Sequence, residues 1–354
     1  MNISYLYIND FGMIGFDQRV PGLLDLKSFL ADTFTVETEV DDLKLNVEFL
    51  KEKDLIGLRH VYDDIFIGDS CVYDAKNRAL IRQLEDRIVI KTDRNNVEWI
   101  IWLIQCSLLM RNKTFIHCAS IEKNGEVYLF PSWGGVGKTA LVKGFVEHHE
   151  WKLLGDDLII CDNLGGVSSF LKNMVLYPYH KETFPEVFGI GGGPVAPIWM
   201  TNILSPVNRF IKKIVKPFPR LLEYARSVNP QSKRVPPSKV FTEDQLGRSG
   251  RVKAIFWLER VKGIDKATIS TKNLDISSRI LGSTINEFDP RCIRVTNAGM
   301  GAGALAANEV YSNWMDILSQ LESSDIATSK IDLPLDLDVS RVPEEVYQLI
   351  KTLS

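Results

Sequence analysis

The segment Ser132-Trp133-Gly134-Gly135-Val136-Gly137-Lys138-Thr139 constrains this chain more than any other. It follows an apolar stretch, Glu126-Val127-Tyr128-Leu129-Phe130, that reads as a strand, and precedes an amphipathic stretch near Ala140 to His149 that reads as a helix. Strand, glycine loop and helix in that order are the setting of a P-loop (the Walker A pattern), in which consecutive backbone N–H groups converge on phosphate oxygens. Gly134, Gly135 and Gly137 keep side chains out of such a cradle, which also includes Val136, and the start of the helix adds partial positive charge. Lys138 is the candidate partner of the β- and γ-phosphates, and the Thr139 hydroxyl is the candidate Mg²⁺ ligand. The pattern begins with glycine where this chain has Ser132, so the first turn of the loop is expected to be shaped differently.

One helix and one short strand later comes Gly155-Asp156-Asp157, and a segment of that length returns the chain to the side of the loop. Phosphoryl transfer needs a carboxylate for metal and a group to accept the proton of the attacking hydroxyl, and these two aspartates are candidates for both. Adjacent strand residues point to opposite faces. Both carboxylates therefore reach one site only where the strand ends or bends, which Gly155 permits. His117 lies in Phe115-Ile116-His117-Cys118-Ala119-Ser120-Ile121, which an Asn124-Gly125 hairpin turn joins to the strand feeding the loop. A histidine there can hold one carboxylate ionised and oriented, or raise the basicity of the other.

Taken together, His117-Cys118-Ala119-Ser120, Leu129-Phe130, the run Gly134 to Thr139, and Leu154-Gly155-Asp156-Asp157 resemble the catalytic domain of the HPr kinase/phosphorylase family and its HPr-kinase-like relatives, a P-loop group related to phosphoenolpyruvate carboxykinase. The resemblance covers about residues 97 to 180 and is fainter at Ile255-Phe256-Trp257-Leu258-Glu259-Arg260. It implies an α/β fold with a P-loop kinase core on a mixed β-sheet, ATP and Mg²⁺ as cofactors, and transfer of the γ-phosphate to a hydroxyl acceptor. That acceptor is a serine of a small protein or peptide, or a small molecule such as a sugar. By the same resemblance Lys138 and Thr139 bind nucleotide and Mg²⁺, Asp156 is the general base, and Asp157 supports metal or His117. The glycine-rich E-x-R-G-x-G signature that the bifunctional enzymes carry after the Asp-Asp pair is missing here, so the phosphorylase reaction and recognition of HPr are not implied. Glu182 stands at a distance suited to a further metal-associated acid. The alternative from another class is a nucleotide-binding regulatory or assembly protein that keeps the aspartates for metal. A carboxykinase-like enzyme is a third choice, without its second phosphate-and-metal motif.

The rest of the chain frames this core. Residues 1–95 read as a β-rich N-terminal lobe, with strands at Ile3–Ile8, Thr33–Val40, Asp64–Ile67 and Arg87–Lys91, and with a helix near Leu23 to Ala31. Residues 96–354 read as the catalytic domain, opening with a helix over about Val97 to Arg111 that Asn95-Asn96 can cap. Within it, 184–250 reads as an insertion or cap and 304–354 as a helical tail. In the cap, Lys212, Lys213, Lys216 and Arg220 make either a cationic rim or a solvated helix face, and Arg234 and Lys239 flank a loop able to close over phosphates. Gly299, Gly301 and Gly303 lack the setting of a dinucleotide fingerprint and read as close packing or a helix entrance. His148, His149 and His180 have no further ligands at metal-site spacing.

Length and composition exclude other classes. The 354 residues are 45% hydrophobic and 25% charged with net charge −3, which fits roughly two domains and gives no reason to expect nucleic-acid binding. The longest apolar stretch, Trp99 to Met110, is interrupted by Gln105 and is too short for a membrane span. Five scattered cysteines without a C-x-x-C pair argue against a disulfide framework, and the N-terminus lacks a signal-peptide pattern, so a cytoplasmic protein is expected, with oligomerisation possible.

Overall fold

Eight short strands build a first sheet: β1 (Ile3–Ile8), β2 (Gly12–Asp17), β3 (Leu43–Phe49), β4 (Arg59–Tyr62), β5 (Ile65–Gly68), β6 (Cys71–Asp74), β7 (Ala79–Gln83) and β8 (Ile88–Thr92). In this computed structural model the described residues are 3–8, 10–21, 26, 30, 43–85, 87–188, 233–271, 275–305, 308–323 and 326–352. The strand order is β1-β2-β3-β8-β7-β6-β5-β4, antiparallel except where β3 pairs with β2 and β8. The expected helix near Leu23 to Ala31 and strand at Thr33–Val40 lie outside the described residues, apart from the buried Leu26 and Leu30.

Helix α1 (Val97–Leu109) is apolar nearly all round, and every residue from Trp99 to Leu109 is buried. Gln105, the polar interruption in that run, donates to Thr114 Oγ1 (2.9 Å) and accepts from the Phe115 amide (2.8 Å), pinning the helix to the strand that follows. The expected side-chain cap is not made by Asn96. Its amide is spent on Asn77 O and Thr92 Oγ1, which tie it to the first sheet.

The second sheet begins with β9 (Lys113–Lys123) and β10 (Glu126–Pro131), joined at Asn124 and Gly125, whose φ values of 55° and 82° fit the hairpin turn that this dipeptide favours. Then follow α2 (Lys138–His149), β11 (Lys152–Gly155), β12 (Leu158–Asp162), β13 (Gly166–Ser169), β14 (Met174–Leu176), α3 (Pro185–Phe188), β15 (Lys233–Val235), β16 (Ser249–Val261) and β17 (Thr268–Ser270). Helices α4 (Ile276–Ile285), α5 (Pro290–Gly301) and α6 (Asn308–Ser323), strand β18 (Ala327–Pro334) and α7 (Val342–Lys351) complete the order. The sheet runs β10-β9-β12-β13-β16-β18-β17, with β11 added on β9, and β10 also pairs with β16. Strands β9, β12, β13, β16 and β10 are thus paired in a ring, in which β10 and β16 run parallel, as do β16 and β18 beyond it. The basic stretch Lys212 to Arg220 and most of the expected cap lie outside the described residues.

The chain is therefore a mixed α/β protein, and its tail is not wholly helical as expected. Ser329, Ile331 and Leu333 alternate inward along β18, which lies between β16 and β17 in the sheet, so this piece of the tail is core strand. One apolar core runs from the first sheet through α1 to β9, β12 and α4–α6, and a second packs α2 and α7 against β10, β16 and β18. Across the first core, Arg291 on α5 binds the fully buried Asp74 of β6 (2.6 Å), which also accepts from Trp99 Nε1 (3.3 Å). Gly299 sits where an added Cβ would lie 3.0 Å from Leu305 and 3.1 Å from Val72. Close packing thus holds at Gly299, whereas a Cβ on Gly301 or Gly303, where α5 ends, would meet nothing within 4 Å. All five cysteines are buried free thiols, and among the described residues no helix is long and apolar enough to cross a membrane.

Candidate functional site

The glycine loop leaves β10 at Ser132, which bridges Leu258 of the parallel β16, and enters α2 at Lys138. Gly135 and Gly137 have φ values of 84° and 108°, in the region that favours glycine. A Cβ on Gly134 or Gly135 would meet nothing within 4 Å, whereas one on Gly137 would lie 3.2 Å from Val342. Gly134, Gly135, Gly137, Lys138 and Thr139 line a cavity of about 400 Å³. The Val136 side chain points instead into the second core, so any part this residue takes in the site belongs to its backbone. Lys138 Nζ donates to Ser132 O and Oγ, both at 3.1 Å, and to Trp133 O at 3.4 Å. Ser132, where the motif has glycine, thus uses its hydroxyl to hold the lysine. Burial pulls the Lys138 pKa down against the opposing pull of Asp157, Asp156 and Glu287.

Asp156 and Asp157 occupy the bend between β11 and β12, and both line the cavity. The bend is fixed to β9 from two sides: Ser120 Oγ donates to Gly155 O (3.2 Å) and the Cys118 amide to Asp157 O (3.1 Å). A Cβ on Gly155 would lie 2.6 Å from Ile159, so the bend has room only for glycine. Thr139 Oγ1 donates to Asp156 Oδ2 at 3.1 Å, while Oδ1 is buried without a hydrogen-bond partner. Burial, followed by repulsion from Asp157, pushes the Asp156 pKa up to about 7. Asp157 behaves oppositely. Burial opposes its ionisation, but Lys172 on Oδ2 and His117 Nε2, 3.0 Å from Oδ1, outweigh it and hold the carboxyl well below the usual range.

His117 is placed by its strand and by its amide, which donates to Thr284 Oγ1 on α4 (3.1 Å). Its Nδ1 lies 3.4 Å from Oε1 of Glu287, just past the end of α4. His117, Asp157 and Glu287 each offer a ligand atom within 4.8 Å of the others, close enough to share one cation.

Other candidates divide. Arg234 reaches the cavity because β15 pairs with β14, and His180 lines it as well, while Lys239 and the exposed Glu182 are not among its lining residues. His148 and His149 close α2 away from the cavity, where His149 stacks on Tyr347 with centroids 3.5 Å apart. Sequence reasoning missed Lys172 and Glu287, which stand far from the loop in sequence and within no motif. It also missed Tyr177 and Tyr179, stacked with centroids 5.5 Å apart on the cavity wall. Their spacing around Pro178 was the available signal. No protein-family model matches the chain, and no curated protein matches its sequence significantly.

Proposed function

We propose that this protein is an ATP-dependent kinase with a P-loop core, which moves the γ-phosphate of ATP to a hydroxyl acceptor. The observation that carries this reading is Asp156, a half-buried residue whose Oδ1 is buried and unpartnered and whose pKa is pushed up to about 7, on the same cavity as the glycine loop, Lys138 and Thr139. A base that ionises near the working pH is suited to taking a proton from an alcohol. Asp157, kept ionised by Lys172 and His117, holds the neighbouring charge that raises Asp156. The loop amides and the start of α2 favour anionic phosphates, and Lys138 adds a full positive charge. In the transfer, the acceptor oxygen forms a bond to the γ-phosphorus as the bond to the β–γ bridging oxygen breaks. The hydroxyl proton passes to Asp156 Oδ1, and ADP leaves.

The residues fit a divalent cation. The Thr139 hydroxyl and the carboxylates of Asp157 and Glu287 are the hard oxygen donors that Mg²⁺ takes, and Asp157 and Glu287 lie close enough, with His117, to share one cation. Thr139 and Asp157 would hold Mg²⁺, with His117 and Glu287 beside Asp157. When bound there, Mg²⁺ supplies charge neutralisation at the phosphates. The acceptor is a serine of a small protein or peptide, or a small molecule. A cavity of about 400 Å³ lies in the size range of small-molecule sites. Incubation with labelled ATP, Mg²⁺ and cell extract tests the reading. Label on an acceptor, lost in Asp156→Asn while ADP still binds, supports the kinase. Tight nucleotide binding without transfer to any acceptor supports a regulatory nucleotide-binding protein instead.

A further inference from the structure

Arg260, near the end of β16, donates from Nη2 to the carbonyl of Val136 at 3.2 Å and from Nη1 to the carbonyls of Pro334 (2.9 Å) and Leu337 (2.6 Å). The parallel bridge between Ser132 and Leu258 brings this arginine level with the glycine loop. One partly buried guanidinium thus gathers backbone carbonyls from the loop and from the segment after β18. Asp336 and Asp338 act on it through space.

We propose that Arg260 is a positioning residue for the anion cradle, fixing the Val136–Gly137 peptide so that the Gly137 N–H is aimed into the cavity. In a trans peptide the carbonyl and the following N–H point in opposite directions, so a carbonyl held from behind aims its N–H forward. Gly137 lines the cavity and has φ 108°. Turning that peptide over changes ψ of Val136 and φ of Gly137. Glycine accepts φ of either sign, so the loop alone does not forbid the turned form. Val342, packed behind Gly137, and the buried Val136 side chain locate the segment without choosing the direction of the peptide. A hydrogen bond from a cation, about twice as strong as a neutral one, does choose it.

This inference rests on the loop being a phosphate cradle, and the test separates the two. ADP and pyrophosphate are titrated calorimetrically into the full chain and into Arg260→Met, Arg260→Lys and the packing control Val342→Ala. The Gly137 amide resonance is followed in ¹⁵N-glycine-labelled protein. Arg260→Met is expected to weaken both ligands about tenfold or more and to abolish the pyrophosphate-induced shift of Gly137, with Arg260→Lys recovering part and Val342→Ala keeping the shift. A folded Arg260→Met with unchanged affinity and an unchanged Gly137 shift overturns the inference. If that variant does not fold, Arg260→Gln, which removes the charge and keeps a polar side chain, decides, and wild-type affinity and shift in it overturn the inference equally. A wild-type chain that binds neither ligand overturns the phosphate cradle itself, and the role of Arg260 with it.

Discussion

Thr139 donates a hydrogen bond to Asp156 across 3.1 Å, from the first turn of α2 to the bend between β11 and β12. It engages one carboxylate oxygen and leaves the other, Oδ1, buried and unpartnered. Asp156→Asn is expected to lower turnover by about 10²- to 10⁴-fold while ADP affinity, measured by calorimetry, stays near wild type. In the wild type, kcat/KM rises with pH along a limb centred near 7, since the base works deprotonated.

The same group leaves a mark on stability. Its folded pKa of about 7 lies above the ordinary value of 3.8, so the native state binds more protons than the unfolded state between those limits. Stability falls as pH rises through that window. Thermal melts of Asp156→Asn without nucleotide should show a gain over wild type that grows from pH 4 to pH 7 and is flat above.

Asp157 has the opposite sign. Its carboxyl is depressed by Lys172 and His117, so these contacts stabilise the fold above the ordinary value of 3.8 and are lost as pH falls below it. Urea denaturation of Asp157→Asn at pH 7 should show a loss of about 1–3 kcal/mol, narrowing in stronger acid. An equal loss at all pH values contradicts the ion-pair account.

Gly144 on α2 faces Pro343 at the start of α7, and an added Cβ would lie 2.3 Å from the proline ring. Gly144→Ala therefore displaces α7 and should cost about 1–3 kcal/mol, despite alanine's better helix propensity. A melting temperature at or above wild type would count against this packing.

Asp74 has no exposure; Arg291 supplies its positive charge, and Trp99 Nε1, Asn77 Nδ2 and the amides of Lys76 and Asn77 also donate to it. Arg291→Ala leaves that carboxylate without its cation in the core between the first sheet and α5, and the expected cost is about 3–5 kcal/mol. Chemical denaturation checks it, and partial recovery in Arg291→Ala with Asp74→Asn identifies the stranded charge as the cause.

Local pattern reached far along this chain. Short apolar runs bounded by turn residues give β1, β9, β10 and β12, the Asn124-Gly125 turn gives the hairpin, and Gly155 marks the bend that turns both aspartates to one cavity. These are decided within a few residues by backbone sterics and local apolar content, so they are legible without a fold. Strand β18 was not, because its alternation sits between two helical stretches, and only pairing with β16 and β17 makes it a strand. Of the site, the sequence by itself determined the glycine loop, Lys138, Thr139, His117 and the two aspartates. The tertiary structure alone decided that Lys172 and Glu287 join them, and that Asp156 and Asp157 are driven apart in pKa. Burial and through-space charge depend on which distant segments pack around a group, and no local run of residues encodes that.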